Sequence, residues 1–153
     1  MAEIEGLNAA LRRLQELALD ARKVERPLEA IGVYMLGSVE KNFQQQGRPE
    51  RWSPLSPRTL AGRRKGRGKG GPKILIDMAR LKNSMNHKVR IGEPSSYVEV
   101  GTNVIYGPRH HFGYKGEKKG RGQAKTPARP FLLIQEEDNQ KIEEIFNRHL
   151  RRR

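Results

Sequence analysis

Residues 74–85, ILIDMARLKNSM, decide the fold together with four segments that follow: HKVRI at 87–91, YVEVGTNVIYG at 97–107, RHHFG at 109–113 and PARPFL at 127–132. The apolar runs are short, and a glycine or proline closes each one. Asp77 is placed to cap a helix on which Met78, Leu81 and Met85 share a face. Apolar and polar residues alternate in 87–91, with Val89 and Ile91 inward, and again in 97–101. Gly92-Glu93-Pro94-Ser95 lies between them, so the pattern predicts an antiparallel strand pair. Gly107-Pro108 predicts a short helix beginning near Pro108 and stopping at Gly113. Pro130-Phe131-Leu132-Leu133 reads as the start of a strand. A last helix over 134–150 follows, with Ile142, Ile145, Phe146 and Leu150 at helical spacing.

Working outward, residues 3–22 carry Ile4, Leu7, Leu11, Leu14, Ala18 and Ala21 at steps of three and four, which is one face of a helix. Arg26-Pro27 interrupts, because the residue before proline is pushed out of the helical region. A second helix is therefore predicted from Pro27, with a stripe of Leu28, Ile31, Met35, Val39 and Phe43, ending near Gln46-Gly47. Gly32 and Gly37 weaken that helix unless something packs close against them. Farther on, Ser56 and Pro57 begin a short helix running to about Arg64. Trp52, the only tryptophan, sits in an irregular proline-rich stretch and reads as an anchor holding that stretch to the body.

Charge is the dominant bulk property. The 153 residues include 31 Lys and Arg against 17 Asp and Glu, a formal net charge of +14, and mean hydropathy is −0.83. Such a chain favours acidic partners, and its polarity predicts mobile segments or a core completed by another subunit. Two stretches hold much of the excess. Residues 62–73 carry Arg63, Arg64, Lys65, Arg67, Lys69 and Lys73, and residues 114–127 carry Lys118, Lys119, Arg121 and Lys125. Both read as mobile basic loops able to meet DNA phosphates or an acidic partner. The N-terminus lacks the apolar run of a signal peptide, and no run reaches a membrane span, so a soluble chain with no membrane partner is expected.

Catalytic patterns fall away on inspection. Gly66, Gly68 and Gly71 have dinucleotide-binding spacing, but that motif acts only between a strand and a helix. With no cysteine, neither a disulfide nor a thiolate metal site is possible. Adjacent His110 and His111 point in different directions on any regular element, so they do not chelate by themselves. Between residues 47 and 135 the only acids are Glu50, Asp77, Glu93, Glu99 and Glu117, too sparse for a carboxylate-metal nuclease. No cofactor, metal site or catalytic residue is expected.

The ordered set QGRPERWSPLSPRTLAGR (46–63), ILIDMARLKNSM (74–85), VEVGTNVIYGPRHHFG (98–113) and PARPFL (127–132) resembles the tailed-bacteriophage virion morphogenesis, or tail completion, family. His110 stands two before Phe112, where the family's histidine precedes its phenylalanine. The resemblance implies a non-enzymatic structural protein of the phage neck or tail. It would act as a homo-oligomeric ring that completes the tail or joins it to the head, in contact with tail or head-connector proteins and non-specifically with DNA. It implies residence in the virion, and in the bacterial host cytoplasm during assembly. It also implies core or subunit-contact roles for Trp52, Asp77, Arg80, Leu81, Gly101, Thr102, Tyr106, His110, Phe112, Gly113, Arg129, Pro130 and Phe131. Asp77 and Arg80 would hold a helix start, Gly101-Thr102 would end a strand, and Arg129-Pro130 would set the approach to the last helix.

The expected fold is α+β. A small antiparallel sheet is packed by long N-terminal and C-terminal amphipathic helices, in one domain with N-terminal helices over 3–46 and a central core over 74–133. A basic nucleic-acid-binding protein acting through its Lys/Arg/Gly-rich loops is the alternative function. It predicts affinity that falls steeply with salt.

Overall fold

The computed structural model describes residues 2–65, 72–92, 94–116 and 125–150, and the side chains of 24–63, 72–92, 94–116 and 125–149. The stripe over 3–22, the side chains of Arg64, Lys65 and Leu150, and the residues Gly66, Arg67, Gly68, Lys69, Gly71, Glu93, Lys118, Lys119 and Arg121 lie outside that description.

The fold is α+β. In chain order it consists of α1 (Ala2–Gln45), α2 (Pro57–Lys65), α3 (Arg80–Asn83), β1 (Met85–Arg90), β2 (Tyr97–Thr102), α4 (Gly107–Phe112) and α5 (Glu136–Leu150). The strands pair antiparallel from Met85↔Thr102 to Arg90↔Tyr97, with Val89 opposite Val98. A two-stranded sheet is marginal alone, and here α1 packs on both strands and also on α5.

Helical periodicity explains the core half of α1. Leu28, Ile31, Met35, Val39 and Phe43 are all buried, Val39 and Phe43 almost completely. Val39 and Phe43 join Trp52, Ile74, Leu81, Val104 and Phe131 in one cluster, with Leu55, Met85, Tyr106 and Leu132 packed around it. Phe43 meets Trp52 edge-on at 5.6 Å between centroids and lies 5.7 Å from Phe131. Each such side chain contributes about 1.5–3 kcal/mol on burial. The helix stops where expected: Gln46 and Gly47 both take positive φ, 60° and 113°. A Cβ on Gly47 would sit 2.5 Å from the Glu50 carbonyl oxygen, so only glycine fits that turn.

Several expectations need correcting. α1 runs through Pro27 instead of restarting there. The proline removes a single backbone donor, and burial of Pro27 and Leu28 offsets the local loss. Asp77 does not cap a helix. Left-handed Ala79 (φ 56°) precedes α3 and makes no side-chain cap, so the turn separates Asp77 from the four-residue helix that Arg80 begins. Met78 is therefore exposed and Met85 opens β1, while Leu81 is buried as expected. Ile91 lies beyond the last strand pair and is exposed; the half-buried positions of β1 are Met85, His87 and Val89.

Residues 130–133 form no strand. Side chains take their carbonyls instead: Trp52 Nε1 donates to Pro130 at 3.0 Å and Asn42 Nδ2 to Phe131 at 2.9 Å. Arg129-Pro130 thus pins the central segment to α1 and Trp52, six residues or more before α5 begins at Glu136. The expected basic loop over 62–73 is also shortened, because α2 keeps residues 62–65 helical. Its start is as read: Ser56 Oγ accepts from the Thr59 amide at 3.2 Å.

The two helical glycines of α1 differ in kind. A Cβ on Gly32 would lie 2.3 Å from His87 Cδ2, so its absence lets β1 approach the helix. His87 Nε2 then reaches Glu29 at 2.7 Å. Gly37 has nothing within 4 Å.

Candidate functional site

Two polar arrangements stand out against this core. One is a lock between α1 and α5. Asp138 is fully buried, and its carboxylate accepts from Tyr34 Oη (3.0 Å), Ser38 Oγ (2.9 Å) and the Gln135 amide (2.8 Å). The last bond places Asp138 at the third position of α5 reaching back to the residue before the helix, half of a capping box. Arg48 completes the lock. Its Nη2 donates to Ser38 O and Oγ, its Nε to Asn42 Oδ1 at 2.7 Å, and its Nη1 pairs with Glu137. Burial, followed by the hydrogen bond to Asp138, raises the Tyr34 pKa above its ordinary value.

The other arrangement is a basic cleft of about 810 Å3 between α2, the 75–81 turn, α4 and the 125–129 segment. Local structure explains how it forms. Gly113 (φ 77°) ends α4, and a Cβ there would meet Thr126 O and Ala128 N within 3 Å. Tyr114 and Thr126 exchange backbone hydrogen bonds at 2.7 and 2.8 Å, which returns the chain alongside α4. The Arg129 amide then donates to His110 O at 2.8 Å. Arg109 stacks over the Tyr114 ring at 4.5 Å and reaches Thr126 Oγ1. Arg129 is only 5% exposed, with Nε and Nη2 held by the carbonyls of Ser53 and Pro54.

The cleft is positive in character. Arg63, Arg80, Arg109, Lys125 and Arg129 line it with His110, and among the described residues Asp77 is the single acid. Asp77 lies 3.8 Å from Arg63. Burial lowers the His110 pKa, and the neighbouring Arg129 and Arg109 lower it further; burial alone lowers that of His111. Burial and then Arg63 likewise lower that of Arg129. Each shift favours the form without positive charge.

The residues singled out from the sequence do not all come together. Trp52, Leu81 and Phe131 are core. Asp77, Arg80, Tyr106, His110 and Arg129 come together around the cleft, with Arg63 and Lys125 from the two basic stretches. Gly101 and Thr102 close β2, where Thr102 Oγ1 lies 2.6 Å from Ser84 Oγ. Phe112 is 78% exposed and has no part in the core, because it is the last residue of α4 and it is His111 that turns inward, edge-on to Phe131 at 5.1 Å. Lys73 is exposed.

Sequence reasoning passed over Asp138, Arg48, Asn42 and Arg109. A signal existed for part of this: Ser38 and Asn42 interrupt the buried face of α1 with polar groups, which demands partners elsewhere in the chain. Among the described residues no group of three or more His, Asp or Glu is arranged to hold a metal ion, and no helix is long and apolar enough to cross a membrane. The model of the phage virion morphogenesis family matches residues 2–151. No curated protein and no solved structure matches the chain.

Proposed function

The chain belongs to the phage virion morphogenesis family, and from that premise we propose that it is a non-enzymatic structural protein of the neck or tail. In this reading it assembles as a homo-oligomeric ring that completes the tail or joins it to the head. It forms in the host cytoplasm and remains in the virion, beside tail or head-connector proteins. The family match over 2–151 carries the role in virion assembly. What supports the oligomer is the pair Ile105 and Phe112, 95% and 78% exposed, at either end of the VIYGPRHHF segment. Apolar side chains of that size, left open on a protomer, are suited to burial against a neighbouring subunit.

The net charge of +14 supports contact between the basic stretches and DNA passing through such a ring. Replacing Arg63, Lys73, Lys118, Lys119, Arg121 and Lys125 by glutamine is then expected to leave oligomer mass unchanged while impairing DNA passage or tail joining. Collapse of the oligomer would place these residues in the subunit interface instead. The role itself is tested by removing the gene from its phage and viewing lysates by electron microscopy. Unfinished tails and unattached heads, restored by supplying the protein in trans, are expected. Normal infectious particles without the protein would refute the role.

A further inference from the structure

We propose that the sheet continues from one copy of this chain to the next, the outer edge of β2 pairing antiparallel with the outer edge of β1 on a neighbouring copy. The proposal rests on the assembly reading above and adds which backbone surface joins the subunits and why it joins them head to tail.

Hydrogen-bond alternation shows which backbone groups face outward. The His87 amide donates to Asn86 Oδ1 at 2.8 Å, so it is turned away from β2. In an antiparallel pair such positions alternate with those bonded to the partner strand. The pairing of His87 with Val100 then assigns Met85, His87 and Val89 to the outer edge of β1, and Val98, Val100 and Thr102 to that of β2. Gly92 agrees, being in the other phase and turning its amide to Ser96 Oγ at 3.4 Å. Among the described residues, no hydrogen bond from outside the pair reaches the backbone of Val98 or Val100. The chain on either side of residues 66–71 and 117–124 lies beside the cleft, where Arg63 donates to Lys73 O and Tyr114 bridges to Thr126.

β2 also lacks the devices that keep an edge strand single. Its sequence, YVEVGT, pairs without a bulge and holds no proline or lysine, and Glu99 is its one charge. α1 packs on both strands, yet the inward Val98 and Val100 of β2 are only half-buried, as are Met85, His87 and Val89 of β1. A strand added at the edge would cover those side chains and satisfy the outward amides and carbonyls together.

Charge selects the occupant. On the exposed face β1 carries Lys88 and Arg90 and no acid, whereas β2 carries Glu99 and no base. Pairing β2 with β2 of a second copy brings Glu99 toward Glu99, and pairing β1 with β1 crowds cations. Pairing β1 with β2 alternates the signs. A register that repeats the internal one places Lys88 of one copy opposite Glu99 of the next. Within the chain Glu99 lies 3.6 Å from Arg90, and among the described residues Lys88 has no ionic partner. Strand polarity agrees. Rotation about an axis along the strands keeps every β1 pointing one way and every β2 the other, so each new junction is antiparallel. Such a head-to-tail contact closes into a ring.

The chain contains no cysteine, so single-cysteine variants of the full chain report the contact directly. Lys88→Cys is co-expressed in turn with Tyr97→Cys, Glu99→Cys and Gly101→Cys, which cover the internal register and a shift of two residues either way. Each pair is oxidised and its disulfide-linked dimers are identified by mass. One pair is expected to give a mixed dimer, at about tenfold or more the yield of the dimer that either variant forms alone. Val100→Pro removes an outward amide that the internal pair does not use. It is expected to keep the parent's circular dichroism and to run as a 17.5 kDa monomer. Glu99→Cys dimers that form alone as readily as the mixed ones overturn the proposal in favour of a two-fold contact. A folded Val100→Pro variant that stays oligomeric also overturns it, and if that variant does not fold the cross-links decide. An oligomeric parent that gives no mixed dimer in any pair refutes the strand pairing and leaves the ring standing. A monomeric parent refutes both.

Discussion

Replacing Asp138 by alanine should loosen the whole C-terminal helix. The carboxylate is 0% exposed and accepts three hydrogen bonds, two at Oδ2 and one at Oδ1. Ser38, at 2% exposure, has no access to water once its acceptor is gone, and the Gln135 amide loses its partner at the start of α5. Tyr34 is partly buried and can turn toward solvent. Counting about 1.5–3 kcal/mol for each of these two donors to a charged group and little for Tyr34, the loss comes to about 3–6 kcal/mol. That is a large share of the roughly 5–15 kcal/mol by which a domain is stable.

Asp138→Asn should behave differently. Its remaining oxygen can stay with Ser38 and Gln135 while the new amide donates to Tyr34 Oη, so the cost falls to about 1–2 kcal/mol. Urea unfolding followed by circular dichroism at fixed protein concentration measures both variants, and hydrogen exchange on α5 shows where the change lies. Tyr34 supplies an internal check, since its raised pKa should move back toward the ordinary tyrosine value once Asp138 loses its charge. An alanine variant within 1 kcal/mol of the parent, or an asparagine variant as damaging as alanine, would refute the account of the lock.

The glycines of α1 predict opposite signs. Gly37→Ala should stabilise by about 0.5–1 kcal/mol, whereas Gly32→Ala drives a methyl group into His87 and should destabilise by about 1–3 kcal/mol, both read from urea midpoints. The two central histidines predict a pH dependence. His110 and His111 have pKa values held below the ordinary 6.5, so the unfolded chain binds protons at these positions first. Their contribution to stability is present above about pH 6.5 and is lost as pH falls through the lower folded values. Melting temperature should therefore drop between about pH 7 and about 5.5, and His110→Gln with His111→Gln should flatten that slope. An unchanged slope in the double variant would sink the assignment.

Sequence patterns reach as far as local physics does. The Leu28 to Phe43 stripe was legible because one helix face must be apolar to be buried, and the strand pair because alternation matches the pleat. Trp52 was legible as an anchor because a lone large aromatic among prolines has few other uses. Pro27 misled because propensity marks a helix start there, while burial of Pro27 and Leu28 carries the helix through. Asp77 misled because its capping chemistry is real, yet the left-handed turn at Ala79 separates it from the helix. The pairings inside the polar lock and the cleft were not legible. Asp138 meets Ser38 across 100 residues, and Arg129 meets Ser53 across 76, distances at which no periodicity carries information. What the sequence offered was only the unexplained polar residues on a buried face.

The central claim is that this family member is a subunit of an assembly, and the most direct measurement is absolute molar mass of the purified chain by light scattering at low and high salt. A single multiple of 17.5 kDa that survives high salt is the predicted result. A monomer at both salts, with nucleic acid that co-purifies at low salt and is released at high salt, would contradict it and identify a basic nucleic-acid-binding protein instead.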